Sequence, residues 1–150
     1  MIDPADPRTL LGEWRFERVI DDRREGALGR VDGEMILVEE GPRIRWSERG
    51  VLHWRGSSTP VSRTLHLVPR DDGWFVTFAD GRDFHPWLPG RPVRHPCGAD
   101  LYSGRIDAAR TDPLRDAWTV HWVVTGPNKD YTMTTEISRG PGVISSPVGT

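Results

Sequence analysis

Apolar and polar residues alternate with a period of two along most of the chain, and Gly, Pro and Asp clusters interrupt the alternation at intervals. Successive side chains of a strand point to opposite faces, so the pattern predicts half-buried β-strands. Over residues 13–21, Trp14, Phe16, Arg18 and Ile20 share one face; over 30–39, Val31, Gly33, Met35 and Leu37 do. A third strand covers 43–48, with continuation past Gly50 to Trp54 left open. Residues 56–60 read as a loop, followed by strands at 61–68, 74–79 and 84–88. The Asp80–Arg82 segment between the last two reads as a hairpin turn. Residues 95–106 form a strand interrupted at Pro96 and Gly98, as a β-bulge would interrupt it. Residues 118–125 and 130–138 form a hairpin across Gly-Pro-Asn-Lys, and 110–116 is a polar loop. Before the first strand, Asp6 and Pro7 are the N-cap and first position of a short helical turn over 7–11.

Eight to ten short strands without helical crossovers predict an all-β protein, an antiparallel up-and-down barrel or a sandwich. Its parts are a lead-in over 1–12, one barrel domain over 13–139 and a tail over 140–150. A chain of 150 residues is long enough for one such domain with a real core. The net charge of -2, with basic and acidic residues interspersed, argues against a nucleic-acid partner. One Cys excludes an internal disulfide framework and fits a reducing cytosol. The N-terminus lacks the basic-then-apolar run of a signal peptide, and no stretch is apolar enough for a membrane span. The expectation is a cytoplasmic chain that does not engage membranes, with a homodimer left open. Seven Trp are unusual at this length, and such rings either pack the core or line a ligand cavity.

The Gly12-Glu13-Trp14 run, just after the helical turn, resembles the opening of lipocalins and related calycin barrels. That resemblance implies that Trp14 closes one barrel end and that Arg139, at the end of the last strand, packs across its indole. Such a cation–π contact contributes ~0.5–2 kcal/mol. Three runs also resemble an uncharacterised bacterial family of lipocalin-like proteins, a domain of unknown function. They are Gly12–Arg18 (G-x-W-x-x-x-R), His95–Tyr102 (H-x-C-x-x-D-x-Y) and Gly126–Tyr131 (G-P-x-K-D-Y), and the likeness spans roughly residues 10–139. It implies a fold and carries no chemistry.

Reactive side chains on core-type strands are costly to bury unless paired, so they mark a candidate site. Arg18 shares its face with Trp14, Phe16 and Ile20, which aims a guanidinium into the barrel; Asp100, Asp130 or an anionic ligand are its candidate partners. Arg63, between Val61 and Leu65, poses the same question. His95 and Cys97 share a side, as do Asp100 and Tyr102. Whether all four share one face depends on the bulge, since one extra residue reverses parity. If they do, His95 and Asp100 could transfer protons while Tyr102 donates to an oxyanion or carbonyl. Phe78, His85, Trp118, Trp122, Lys129, Asp130 and Tyr131 complete the candidate ligand-binding set. Gly-Pro-Asn-Lys reads first as a turn with Lys129 exposed, yet Asp130 and Tyr131 lie at a barrel rim, where a Lys129–Asp130 pair could gate or bind an anionic substituent. His121, His53 and His66 read as surface residues.

Four functions follow. The first is a barrel that encloses a small, largely hydrophobic molecule oriented by a few polar groups. The second is an enzyme on the same scaffold, a cofactor-independent cyclase, isomerase or conjugate-addition catalyst assisted by His95, Asp100 and Tyr102. The third is a haem or zinc carrier using His85, His95 and Cys97, although their spacing matches no zinc signature. The fourth is an interaction module with a filled core. Nucleotide-binding and hydrolase motifs are absent.

Overall fold

A computed structural model describes residues 3–107 and 116–139. Asp6 caps a 3₁₀ turn, Pro7–Leu10, by accepting a hydrogen bond from the Arg8 amide. Ten antiparallel strands follow: β1 (Gly12–Asp22), β2 (Ala27–Glu40), β3 (Arg43–Trp54), β4 (Ser57–Arg70), β5 (Gly73–Phe78), β6 (Asp83–Pro86), β7 (Val93–Cys97), β8 (Asp100–Asp107), β9 (Ala117–Gly126) and β10 (Lys129–Ser138). They form one sheet in the order β6-β5-β4-β3-β2-β1-β10-β9-β8-β7. Each strand pairs with its neighbours in sequence except β6 with β7, and β10 closes onto β1. The result is a nearly closed up-and-down barrel whose seam lies between β6 and β7.

The alternation becomes the barrel wall directly. In β1, Trp14 and Phe16 are buried while Glu13, Arg15 and Glu17 are exposed. In β9, Trp118, Val120, Trp122 and Val124 are buried, and His121 is exposed as expected. Three differences from the sequence reading bear on the barrel wall. Residues 57–60 are the start of β4, because Arg55 and Gly56, both at positive φ, complete the turn by themselves. His66 is buried among its neighbours on the outer face of β4 instead of lying at the surface. The interruption at 96–98 is a two-residue hairpin turn, not a bulge. Gly98 adopts φ 60°, and Cys97 pairs with Asp100 and His95 with Tyr102. Directly paired residues project to the same face, so the turn settles the parity that the sequence left open. The tail over 140–150 and most of the 110–116 loop lie outside the described residues.

One bulge does occur. The β5–β6 register changes between Val76↔His85 and Thr77↔Asp83, which leaves Phe84 as the extra residue. Both Phe84 and His85 are buried as a consequence.

The two barrel ends differ. The end that carries the N-terminus is packed with four indoles. Trp118 meets Trp14, Trp46 and Trp87 edge-on at centroid distances of 6.0, 5.6 and 6.2 Å. Arg139 lies 3.9 Å from the Trp14 ring centroid and donates to the Leu11 carbonyl at 2.6 Å. Trp14 donates to the Leu10 carbonyl and Trp87 to that of Pro4. Trp118 Nε1 has no partner among the described residues. The opposite end is ringed by five hairpin turns, β1–β2, β3–β4, β5–β6, β7–β8 and β9–β10. The interior opens there.

Candidate functional site

Below the hairpin-ringed end lies a chamber of about 450 Å3. Phe78, Phe84, Trp122, Tyr102, Tyr131 and Met133 supply its apolar and aromatic lining. Arg63 faces it from β4, and His95 and Cys97 flank it from β7. Phe84 is stacked between Phe78 (centroids 4.6 Å, planes 17° apart) and Trp122 (5.0 Å, 12°). The β6 bulge puts it there. Gly104 makes room for Trp122, its cross-strand partner: a methyl group at 104 would overlap the indole. A second, largely apolar pocket of about 200 Å3, which includes Phe16, Ile20, Val31 and Leu52, adjoins the first across Arg63 and Met133.

A larger groove of about 730 Å3 lies on the outside of β1–β3 and β10, where Gly33 faces Gly50. It is an open depression among exposed Arg15, Glu17, Glu34 and Arg49. We place the site in the smaller interior chamber because it is sheltered and aromatic, and because buried charge is aimed at it.

That charge is a three-residue cluster. Arg18 and Arg63 both point inward, as parity predicts, and both pair with Glu48, a partner the sequence reading missed. Arg18 Nη2 donates to Glu48 Oε1 at 3.0 Å, and Arg63 Nε and Nη2 donate to Oε1 and Oε2 at 2.9 and 3.3 Å. The Trp46 indole N–H adds a fourth bond to Oε2 at 3.0 Å, and Arg18 Nε donates to Thr135. Burial pushes the Glu48 carboxyl up, yet Arg63 and Arg18 together outweigh it and hold its pKa below the usual range. Burial also pulls the Arg18 pKa down against the attraction of Glu48. A guanidinium nonetheless stays charged. The signal for Glu48 lay in the Ile44–Trp46–Glu48 alternation, which puts the carboxylate on the inner face of β3.

The hairpin brings His95, Cys97, Asp100 and Tyr102 to one side, but not as an Asp–His pair. Asp100 pairs with Lys129 at 3.0 Å, and Lys129 also donates to the Tyr102 hydroxyl at 3.1 Å. These two bonds, that to Tyr102 first, raise the Lys129 pKa above its ordinary value. Lys129 is therefore tied into the rim and is not a free turn residue. Burial and the neighbouring Tyr102 push the Tyr131 phenol up to about 12. The His95 ring stands 5.1 Å from Phe84 and 5.9 Å from Tyr102.

Five expected ligand contacts lie outside the chamber lining: Arg18, which borders the second pocket, Lys129, tied to Asp100 and Tyr102, and Trp118, Asp130 and His85. Trp118 belongs to the packed end. Asp130 turns outward, because it alternates with inward Tyr131, and pairs with Arg23 at 2.8 Å. His85 is outside the chamber lining, packed against Phe84 and Trp122. Its Nδ1 donates to the Pro86 carbonyl at 2.8 Å, and burial lowers its pKa to about 4. His85, His95 and exposed Cys97 do not gather as a metal-ligand set, and no other such group occurs among the described residues. No helix among them is long and apolar enough to cross a membrane.

The chain belongs to the family of unknown function DUF6314, whose model matches residues 10–139. Among solved structures, it is similar to the S-type phycobiliprotein lyase CPES from Guillardia theta. That likeness covers 85% of each chain at a TM-score of 0.54 and 12% sequence identity, which is a likeness of fold. No curated protein matches the chain.

Proposed function

We propose that this DUF6314 member binds a small, largely apolar molecule in the chamber at the hairpin-ringed end of the barrel. The chamber itself carries the reading. Its volume of about 450 Å3 falls in the ~300–1,000 Å3 range of small-molecule sites. Its aromatic lining and few polar groups match their usual make-up. A filled interaction module would leave no such space. The lipocalin-like scaffold of the lyase supports a barrel that handles small molecules, and its substrate is not carried over.

Calorimetric titration with a neutral aromatic probe, naphthaleneethanol, tests the proposal. Saturable binding of one equivalent is expected, with loss of binding in a folded Trp122→Ala variant. If neither this probe nor its carboxylate analogue naphthylacetate binds, or if Trp122→Ala binds as the parent does, the chamber is not the site.

One observation favours a second reading, catalysis in the same chamber. Tyr102 lines the cavity, its hydroxyl is held by Lys129, and burial and Tyr102 push the neighbouring Tyr131 phenol up to about 12. Two positioned phenols can donate to a developing oxyanion during an isomerisation or cyclisation. A Tyr102→Phe variant that converts a substrate at the parental rate would remove this reading.

A further inference from the structure

We infer that the chamber's ligand is an anion: a molecule with an apolar, planar body and one carboxylate-type head seated on Arg63. The inference rests on the proposal that the chamber binds a small molecule, and adds its chemical class.

The interior cluster holds two guanidiniums and one carboxylate. Glu48 already accepts four N–H bonds, from Arg18, Arg63 twice and Trp46, which fills the roughly four acceptor sites of a carboxylate. It has no capacity left for the remaining N–H groups of either arginine. Among the described residues, Glu48 is the carboxylate that pairs with either guanidinium. The cluster therefore carries a net charge of about +1 inside the barrel.

The other charges around the chamber cancel in pairs. Asp83 is held by Arg70 through two bonds of 2.8 and 3.1 Å, Arg82 by Asp80 at 2.7 Å and Lys129 by Asp100 at 3.0 Å. Of the three residues only Arg63 lines the chamber, while Arg18, Glu48 and Arg63 all border the smaller second pocket. The Arg63 side chain is 36% exposed and lines the chamber, whereas those of Glu48 and Arg18 are 3% and 12% exposed. The Arg63 field also reaches His85, where it contributes to the depressed pKa.

An unmatched guanidinium in a sheltered aromatic chamber favours an anion. Arg forms paired, charge-assisted bonds with carboxylates, and these strengthen as water is excluded. With the head on Arg63, an apolar body extends along Trp122, Phe84 and Phe78, whose rings already lie nearly parallel. The arrangement fits an aromatic or conjugated monocarboxylate and disfavours a cation.

Naphthylacetate and naphthaleneethanol, which share the same ring system, test the assignment by calorimetry at low salt. The acid is expected to bind the parent protein at least about tenfold more tightly than the alcohol, as a charge-assisted contact would require. Arg63→Gln should abolish that preference, read as the ratio of the two affinities in the variant against that in the parent. The variant keeps Arg18–Glu48 as a matched pair. If it does not fold, Arg18→Gln brings the cluster to zero charge from the other side and should also reduce the preference. Equal binding of the two probes to the parent overturns the anion assignment and leaves the chamber as a binding site. So does an acid preference that survives Arg63→Gln. Binding of neither probe overturns both.

Discussion

Glu48 is the most constrained residue of the interior, and its surroundings predict how substitutions rank. Removing one partner from a buried ion cluster leaves uncompensated charge, at a cost of about 3–5 kcal/mol. Glu48→Leu strands two guanidiniums and should lower the unfolding free energy, read by urea titration, by that much. Arg63→Gln keeps a matched pair and should cost far less. Equal losses in the two variants would contradict the cluster as described. His85 predicts a pH dependence. Its folded pKa of about 4 lies below the ordinary 6.5, so the unfolded chain binds the proton more readily. The contribution is present above pH 6.5 and is lost as pH falls toward 4. It amounts to about 3 kcal/mol across that window. Urea titrations from pH 7 to 4.5 should show the loss, and His85→Leu should flatten it. Trp118→Phe deletes a fully buried indole N–H that has no partner among the described residues and keeps an aromatic ring in the floor. It should change stability by no more than ~1 kcal/mol and leave ligand binding intact. At this scale, the inward direction of Arg18 and Arg63 is legible in strand parity. Their shared partner is not, because a glutamate 15 residues from one arginine and 30 from the other carries no local mark.

The strands and turns show why the site was half legible. The alternation in β1, β9 and β10 is regular, and those elements form where the pattern puts them. Residues 95–106 hold Pro96 and Gly98 close together, which suits either a bulge or a tight turn. Only the pairing of Cys97 with Asp100 decides between them. The real bulge, at Phe84, has no Gly or Pro signature and follows from the short β5–β6 connection. These two elements build much of the chamber wall, so site residues on β6 and β7 were harder to place than those on β9. The β8–β9 pairing makes its own prediction. Gly104→Ala pushes a methyl group into Trp122. The expected outcome is a loss of about 1–3 kcal/mol through overpacking, together with loss of naphthaleneethanol binding. A variant with parental affinity would show that Trp122 does not form the chamber wall.

As a whole, the molecule is a barrel with a dry tryptophan floor, an open rim and one seam. Strands β6 and β7 are short, are not hydrogen-bonded to each other, and carry Pro86 and Pro96. Proline on an edge discourages pairing with further chains. The seam is therefore expected to be the least protected part of the wall. Amide exchange in β6 and β7 should be faster than in β1, β2 and β10, since unpaired edges open without global unfolding. A ligand in the chamber should slow it, because Phe84 and His95 from the two seam strands flank that space. The central claim, that this interior binds a small anionic molecule, is tested most directly by mapping amide and side-chain NMR shifts as naphthylacetate is added. The account predicts saturable shifts at Phe78, Phe84, Trp122 and Tyr131, and at Arg63 itself, with at least about tenfold more naphthylacetate needed to reach the same shifts in Arg63→Gln. Shifts confined to the outer groove around Arg15, Glu34 and Arg49, or none at all, would contradict it.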